Sequence, residues 1–171
     1  CIKQTYRNIN IIIADDNSTD ESRDIINEYC KKHTNITKIF IDDKKPNIAK
    51  IRNILIQHAK SPFCCFLSSD DYYDEDFIKN SMECLSNNPH AYGVYSNFDW
   101  ITEDGELLEV ISKPSFKDRV SLHKKVKYGA QGTPYVVVCF ESALFRKKIF
   151  EKNIYFHEDI LHGEESMFIC E

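Results

Sequence analysis

The chain has 171 residues, with 22 lysines and arginines against 27 aspartates and glutamates, so its formal net charge is −5. This length suits one domain, because domains typically run to roughly 100–200 residues. The mild acidity disfavours a nucleic-acid-binding protein, which usually carries a basic stripe. No apolar run approaches the ~18 residues that a membrane span needs. A composition of 42% hydrophobic and 29% charged residues predicts a soluble globular domain.

The two ends do not read as natural termini. The chain begins at Cys1 without an initiator Met or a signal-type segment, and it ends at Glu171 inside an apolar, helix-like stretch. We therefore expect an excerpt of a longer protein. The seven cysteines are odd in number and lack a Cys-x-x-Cys spacing, which favours reduced, structural thiols in a cytoplasmic protein.

Short apolar runs alternate with amphipathic, helix-length segments. The apolar runs predict strands over residues 9–14, 38–41, 63–67, 92–96 and 136–140. Apolar residues at three- and four-residue spacing predict helices that end near residues 33, 59 and 85, and another over residues 142–151. Asp104-Gly105 marks the turn of a hairpin. The alternation predicts an α/β domain with a mostly parallel sheet and helices on both faces.

Residues suited to helix capping stand where the first three helices should begin. Ser18 and Glu21 have the spacing of a capping box, and Asn47 and Asp74 can cap the next two helices. The residues of the first helix that we expect to face inward are Ile25, Ile26 and Tyr29.

Two aspartate pairs follow predicted strands, and a glutamate pair lies near the end of the chain. They are Asp15-Asp16, Asp70-Asp71 and Glu164-Glu165. In an open α/β sheet, ligands bind beyond the carboxyl ends of the strands. Crowded carboxylates repel, and a hard cation takes oxygen ligands while leaving positions for substrate phosphates. The pattern favours a metal–diphosphate site, with structural capping by Asp-rich turns as the alternative.

Four segments, in the same order, resemble the signatures of inverting GT-A glycosyltransferases of family 2. Gln4-Thr5-Tyr6 and residues 11–20 (IIIADDNSTD) are similar to the family's "QTY…IIVVDDGSTD". Residues 49–53 (AKIRN) resemble its helix that carries an arginine or asparagine toward the nucleotide. Residues 66–71 (FLSSDD) fall where the family has the metal-binding "FLDADD", and residues 162–165 (HGEE) match its catalytic-base segment.

The resemblance implies a GT-A fold, which is a Rossmann-like α/β fold, and a donor site for a nucleotide-sugar, a UDP-sugar in the first instance. Asp16 is expected to accept a hydrogen bond from the base, with Asp15 next to it. Arg52 is expected beside the base or the diphosphate. Asp70 and Asp71 are expected to face the ribose and a divalent cation, Mn²⁺ or Mg²⁺, that bridges the diphosphate.

The same resemblance implies a single displacement that inverts the sugar. Glu165 aligns with the general base that takes the proton from the acceptor hydroxyl, and Glu164 is the fallback. The acceptor is expected to be a saccharide or a lipid-linked molecule. Surface polysaccharide synthesis at the cytoplasmic face, with peripheral membrane association, is the implied setting.

The resemblance also predicts the domain organisation. Residues 1–171 form a single catalytic domain, which is truncated at both ends and lacks the family's first strand. Residues 1–96 form a nucleotide-binding half, and residues 97–171 an acceptor-side half.

Two departures from the family pattern keep an alternative open. Ser68 stands where the family has the first aspartate of its metal motif, and Glu165 replaces the commoner aspartate. A non-catalytic nucleotide-binding or scaffolding domain with a degenerate fold would tolerate both changes. A second alternative is a receiver domain, because residues 13–17 also resemble its opening. That interpretation leaves Glu164-Glu165 without a purpose.

Overall fold

Strands and helices alternate along the first half of the chain, as the hydrophobic pattern predicts. The computed structural model describes residues 1–43, 45, 47–111, 140–152, 156 and 158–159. Strands β1–β7 are Ile11–Asp16, Ile36–Ile41, Phe63–Cys64, Gly93–Tyr95, Phe98–Ile101, Leu107–Ile111 and Ala143–Arg146. Helices α1–α3 are Ser22–Lys32, Ile48–His58 and Phe77–Asn87. Each of these helices has 11 residues, and no described helix has the length and hydrophobicity to span a bilayer.

The strands form three hydrogen-bonded groups. β1 pairs with β2 in the predicted parallel sense, with Asp16 opposite Ile41 at the carboxyl ends. β7 lies between β3 and β4 and is antiparallel to both. β5 and β6 form the predicted hairpin. Its turn includes Gly105 at φ 82°, a left-handed conformation that glycine adopts without steric cost.

The helix predicted over residues 142–151 is wrong. Ala143–Arg146 forms the central strand β7, and Lys147–Lys152 is a 3-10 turn. Ala143 and Leu144 are buried, so packing in the middle of a sheet decides the conformation of a segment whose local pattern also suits a helix. The strand predicted over residues 136–140 lies outside the described residues except Phe140, which begins a 3-10 turn.

The predicted start and orientation of α1 are also wrong. The helix begins at Ser22 and has no capping box; the Asp20 carboxylate accepts the Ser22 N–H instead, at 3.0 Å. Ile25 and Tyr29 are exposed, while Ile26 is half-buried. The inner face carries Arg23, whose ion pair with the buried Asp15 sets the rotation of the helix.

The other two helices begin with contrasting caps. Asn47 caps α2 as predicted, because its side chain accepts the Lys50 N–H at 2.9 Å. α3 begins at Phe77 rather than directly after Asp74. The buried Gln4 side chain accepts the N–H of Ile78 at 3.0 Å. A first-turn amide of α3 is therefore satisfied by a residue 74 positions away.

A cluster of phenylalanines forms the core beside α2. The Phe140 ring centroid lies 5.1 Å from that of Phe66, 5.2 Å from that of Phe156 and 5.0 Å from that of Phe145. Ala49 and Ile56 of α2 pack against this cluster. Because Phe66 precedes the Asp70-Asp71 pair by a few residues, the core fixes the start of that turn.

Candidate active site

The first aspartate pair closes β1, and its two members have different surroundings. Asp15 is buried, and its Oδ1 accepts a hydrogen bond from Arg23 Nε at 2.5 Å. Arg23 also donates to the Ile41 carbonyl at 3.0 Å and pairs with Asp42 at 2.8 Å. Asp15 therefore helps tie α1 to the carboxyl ends of β1 and β2.

The charge of Asp15 is stabilised by its hydrogen bonds. Burial acts to raise the pKa of this carboxyl, but hydrogen bonds from Ser18 and Arg23 outweigh it and lower the pKa below its ordinary value. Asp15 is thus an ionised structural anchor at neutral pH.

Asp16 is half-buried at the end of β1. The next residue, Asn17, has φ 59°, and asparagine is among the few residues that adopt this left-handed conformation readily. The family signature has glycine at this place. Lys50, on α2, lies within electrostatic range of Asp16. The hydrogen bond that Lys50 Nζ donates to the Asp43 carboxylate raises the Lys50 pKa most, and the charges of Asp43, Glu158 and Asp16 raise it further.

The second aspartate pair lies in a turn beyond β3. Asp70 and Asp71 are exposed, and the Asp71 N–H donates to the Ser68 carbonyl at 3.3 Å. The Tyr73 hydroxyl donates to the Phe66 carbonyl. The turn thus presents two carboxylates to solvent while its flanks are held by the core.

Glu141 joins this turn because β7 runs antiparallel to β3. The residues just before β7 therefore lie beyond the carboxyl end of β3. Glu141 Oε1 lies 2.8 Å from Arg52 Nη2 and 3.3 Å from Ser68 Oγ. A carboxylate thus lies beside Ser68, where the family motif has an aspartate. Arg52, which the sequence predicts beside the nucleotide, is buried against this carboxylate.

The carboxylates at this edge suit a divalent cation. Although Asp71 is exposed, partial desolvation by the surrounding protein raises the pKa of its carboxyl, and the negative charges of Asp70 and Glu141 raise it further. A cation would relieve this repulsion, and all available donors are oxygens, which Mg²⁺ and Mn²⁺ prefer. Among the described residues, no group of three metal-ligating side chains already forms a closed site.

The structure brings some predicted residues together and leaves others undescribed. On α2, Lys50 lies within electrostatic range of Asp16, and Arg52 pairs with Glu141, whose carboxylate also accepts a hydrogen bond from Ser68. Glu164 and Glu165 lie outside the described residues. Glu141 was missed by sequence reasoning, because its place depends on β7 forming a strand.

Comparison with known proteins identifies the family of the chain. The model of the glycosyl transferase family 2 matches residues 1–154. The chain belongs to glycosyl transferase family 2. A family 2 relative from Escherichia coli is 34% identical over 155 residues. It is named UDP-Glc:alpha-D-GlcNAc-diphosphoundecaprenol beta-1,3-glucosyltransferase WfaP, and the match covers 91% of this chain and 55% of that protein.

Solved structures share the GT-A fold. Staphylococcus aureus TarS 1–349, in complex with UDP-GlcNAc, aligns with a TM-score of 0.71 at 20% identity. The match covers 98% of this chain and 45% of that chain. The mannosyltransferase PcManGT from Pyrobaculum calidifontis, in complex with GDP-Man and Mn²⁺, aligns with a TM-score of 0.63 at 17% identity. This match covers 96% of the present chain and 44% of the PcManGT chain.

The family 2 chain is shorter than its relatives. It spans 48%, 22% and 55% of the length of three curated relatives that it matches. The α/β fold class predicted from the sequence is confirmed as GT-A, and family membership replaces the receiver-domain alternative.

Proposed function

We propose that this chain is the catalytic domain of an inverting glycosyltransferase that moves a sugar from a UDP-sugar to a hydroxyl acceptor. One observation carries the proposal. The exposed carboxylates of Asp70 and Asp71 lie with Glu141 at the strand-end edge of a GT-A fold. The TarS structure in complex with UDP-GlcNAc and the UDP-Glc named for the Escherichia coli relative support the choice of donor.

The donor would lie between the ends of β1 and β3. Asp16 accepts a hydrogen bond from the base in this proposal, and the buried Asp15 holds the end of β1 through Arg23. Asp70 faces the ribose. Arg52 supports the turn through Glu141, and its direct contact with the base or diphosphate stays a prediction. Residues 1–96 form the donor half, and residues 97–171 form the acceptor half of one domain.

Asp70 and Asp71 would hold a divalent cation, Mn²⁺ or Mg²⁺. The raised pKa of Asp71, caused by partial desolvation and then by the charges of Asp70 and Glu141, supports a site that an added positive charge would stabilise. PcManGT was solved with Mn²⁺. When bound, the cation supplies positive charge that offsets the charge developing on the leaving diphosphate.

The acceptor hydroxyl loses its proton to Glu165, with Glu164 as the fallback. A positioned carboxylate base accelerates such a step by typically ~10²–10⁴-fold. The acceptor is a saccharide carried on a lipid diphosphate, because the Escherichia coli relative is named for such an acceptor. The chain would then act in surface polysaccharide synthesis, associated with the cytoplasmic face of a membrane.

Calorimetry on the full-length protein tests the donor site. UDP binding is measured with Mn²⁺ and again with a chelator, for the wild type, Asp71→Asn and Asp104→Asn. Asp104 is exposed in the β5–β6 turn and is the matched control. We expect metal-dependent UDP binding in the wild type and in Asp104→Asn, and its loss in Asp71→Asn. Absence of metal-dependent binding of UDP, GDP and dTDP in the wild type would refute the proposal.

A second experiment separates an enzyme from a scaffold. Transfer from a panel of UDP-sugars to lipid-diphosphate-linked acceptors is measured for the wild type and Glu165→Gln. We expect Glu165→Gln to lose transfer and to keep UDP binding. If the wild type binds UDP but transfers no sugar, the result favours the alternative of a non-catalytic nucleotide-binding domain.

A further inference from the structure

Glu141 contacts the turn that carries Asp70 and Asp71 from a distant part of the chain. Its Oε1 atom accepts a hydrogen bond from Ser68 Oγ at 3.3 Å and lies 2.8 Å from Arg52 Nη2. Ser68 is the first residue of the turn, and its carbonyl accepts the Asp71 N–H at 3.3 Å. One carboxylate therefore links α2 to the residue at which the turn begins.

The side chains of Arg52 and Glu141 have little freedom to move. They are only 6% and 17% exposed. The guanidinium carbon of Arg52 lies 5.2 Å from the ring centroid of Phe140 and 5.4 Å from that of Phe156, and both phenylalanines are buried in the aromatic core. Because a buried, hydrogen-bonded charge pair is costly to break, the Glu141 carboxylate is a fixed acceptor for the Ser68 hydroxyl.

Position 68 is also where this chain departs from the family signature. The family has the first aspartate of its metal motif there, and this chain has Ser68. A carboxylate does lie beside this position, but it belongs to Glu141 and comes from the segment that leads into β7. An aspartate at position 68 would set a second carboxylate against the first, and like charges in contact repel. Ser68 and Glu141 are thus complementary, since a hydroxyl donor meets a carboxylate acceptor.

We propose that Glu141 is a positioning residue for the donor-binding turn: it holds Ser68, and its carboxylate takes the place that the family gives to the first aspartate of the metal motif. The inference rests on the proposed function. Because Asp70 and Asp71 follow Ser68 within one turn, a shift of Ser68 moves both carboxylates together. The consequence is weaker metal-dependent donor binding by folded protein, whereas a purely structural role would change only the amount of folded protein.

Ser68→Asp should have the opposite effect from the one that the family pattern suggests. The motif alone suggests that this change restores the metal site and tightens metal-dependent binding of UDP. In the structure it sets a new carboxylate against Glu141 and should weaken that binding. Adding Glu141→Gln removes the repulsion and supplies an amide that can donate to the new carboxylate, so the double variant should recover.

The test measures UDP binding with Mn²⁺ by calorimetry on the full-length protein, and bound Mn²⁺ in the presence of UDP by electron paramagnetic resonance. The variants are Ser68→Asp, Glu141→Gln, their combination, Ser68→Asn and Ser86→Asp. Ser68→Asn matches Ser68→Asp in size but adds no charge. Ser86 is exposed on α3, so Ser86→Asp is the matched control for an added charge. Urea unfolding of each variant gives its folded fraction.

We expect the UDP Kd with Mn²⁺ to rise by about tenfold in Ser68→Asp, because two unit charges in contact near a protein surface repel strongly enough for this change. Glu141→Gln removes the charge that pairs with Arg52 and should also raise the Kd. The double variant should return to within about threefold of the wild type, since the two changes compensate rather than add. Ser68→Asn should lose less than Ser68→Asp, and Ser86→Asp should keep the wild-type Kd. Bound Mn²⁺ should follow the same order.

Different results overturn different claims. An unchanged or lower Kd in Ser68→Asp overturns the positioning role alone, and so does a double variant that binds no better than Ser68→Asp. A rise of equal size in Ser68→Asn or Ser86→Asp, or one that the folded fraction explains, has the same meaning. If the variants with Glu141→Gln do not fold, Ser68→Asp and Ser68→Asn decide by these criteria. Absence of metal-dependent nucleotide binding in the wild type overturns the proposed function, and the role assigned to Glu141 with it.

Discussion

The guanidinium of Arg52 and the carboxylate of Glu141 form an ion pair, with 2.8 Å between Nη2 and Oε1. The pair joins α2 to the turn that precedes β7, although the two residues are 89 positions apart. Their side chains are only 6% and 17% exposed, and Ser68 Oγ donates to the same carboxylate oxygen. The pair thus joins α2, the turn over Ser68–Asp71 and the segment that leads into β7.

Replacing Arg52 with Met should cost about 3–5 kcal/mol in the free energy of unfolding, because it leaves Glu141 charged without this partner. The double variant Arg52→Met, Glu141→Met should recover part of that loss, since neither charge is then buried. Urea denaturation of the two single variants and the double variant gives the coupling energy. Strictly additive losses would show that the two side chains do not stabilise each other.

Replacing Gln4 with Ala should cost about 1–2 kcal/mol in the free energy of unfolding, because it removes the cap at Ile78 and a donor to the Asp74 carbonyl. Gln57→Ala is the control, because Gln57 is exposed on α2 and its loss should change stability by less than about 0.5 kcal/mol. Thermal unfolding of both variants checks the difference. Equal effects would mean that the Gln4 cap contributes nothing.

Replacing Asp15 with Asn should destabilise the protein at pH 7 and have less effect in acid. The folded-state pKa of Asp15 is lowered, so the unfolded state binds the proton more readily. The stabilising contribution is therefore complete above the ~3.9 of an unfolded aspartate and is lost as pH falls through the lowered folded value. Denaturation of the wild type and of Asp15→Asn across this range measures the convergence. Asp24→Asn, an exposed change on the same helix, should show no comparable trend.

Replacing Gly93 with Ala should destabilise the β4–β7 pairing. A Cβ at this position would lie 2.9 Å from Phe145 Cδ1 and 3.1 Å from the Leu144 carbonyl oxygen. Overpacking of this kind costs about 1–3 kcal/mol. Gly105→Asn is the control, because nothing lies within 4 Å of its Cβ position and asparagine tolerates its positive φ. A Gly93→Ala variant as stable as Gly105→Asn would refute the steric argument.

Local signals predicted much of the first half of the fold. The run that forms β1, the Asn47 cap of α2 and the Asp104-Gly105 turn are all encoded within a few residues. The face that α1 turns inward was mispredicted, because the Asp15–Arg23 pair joins residues that no periodicity relates. The turn that carries Asp70 and Asp71 was located from the motif at residues 66–71, but the Glu141 carboxylate beside Ser68 was not.

The family, the order of the motifs and the strand–helix alternation can be predicted from the amino-acid sequence, because they depend on spacing along the chain. Three features emerge only when the chain is folded: residues 143–146 form the strand between β3 and β4, Gln4 caps α3, and Asn53 holds Phe156. Each of these contacts joins residues more than 45 positions apart. Even the hydrogen bond from Ser96 to the Ser142 carbonyl, beside the β4–β7 pairing, joins residues 46 positions apart. Their formation depends on the antiparallel pairing of β7 and on the aromatic core, and no local pattern of polar and apolar residues specifies either.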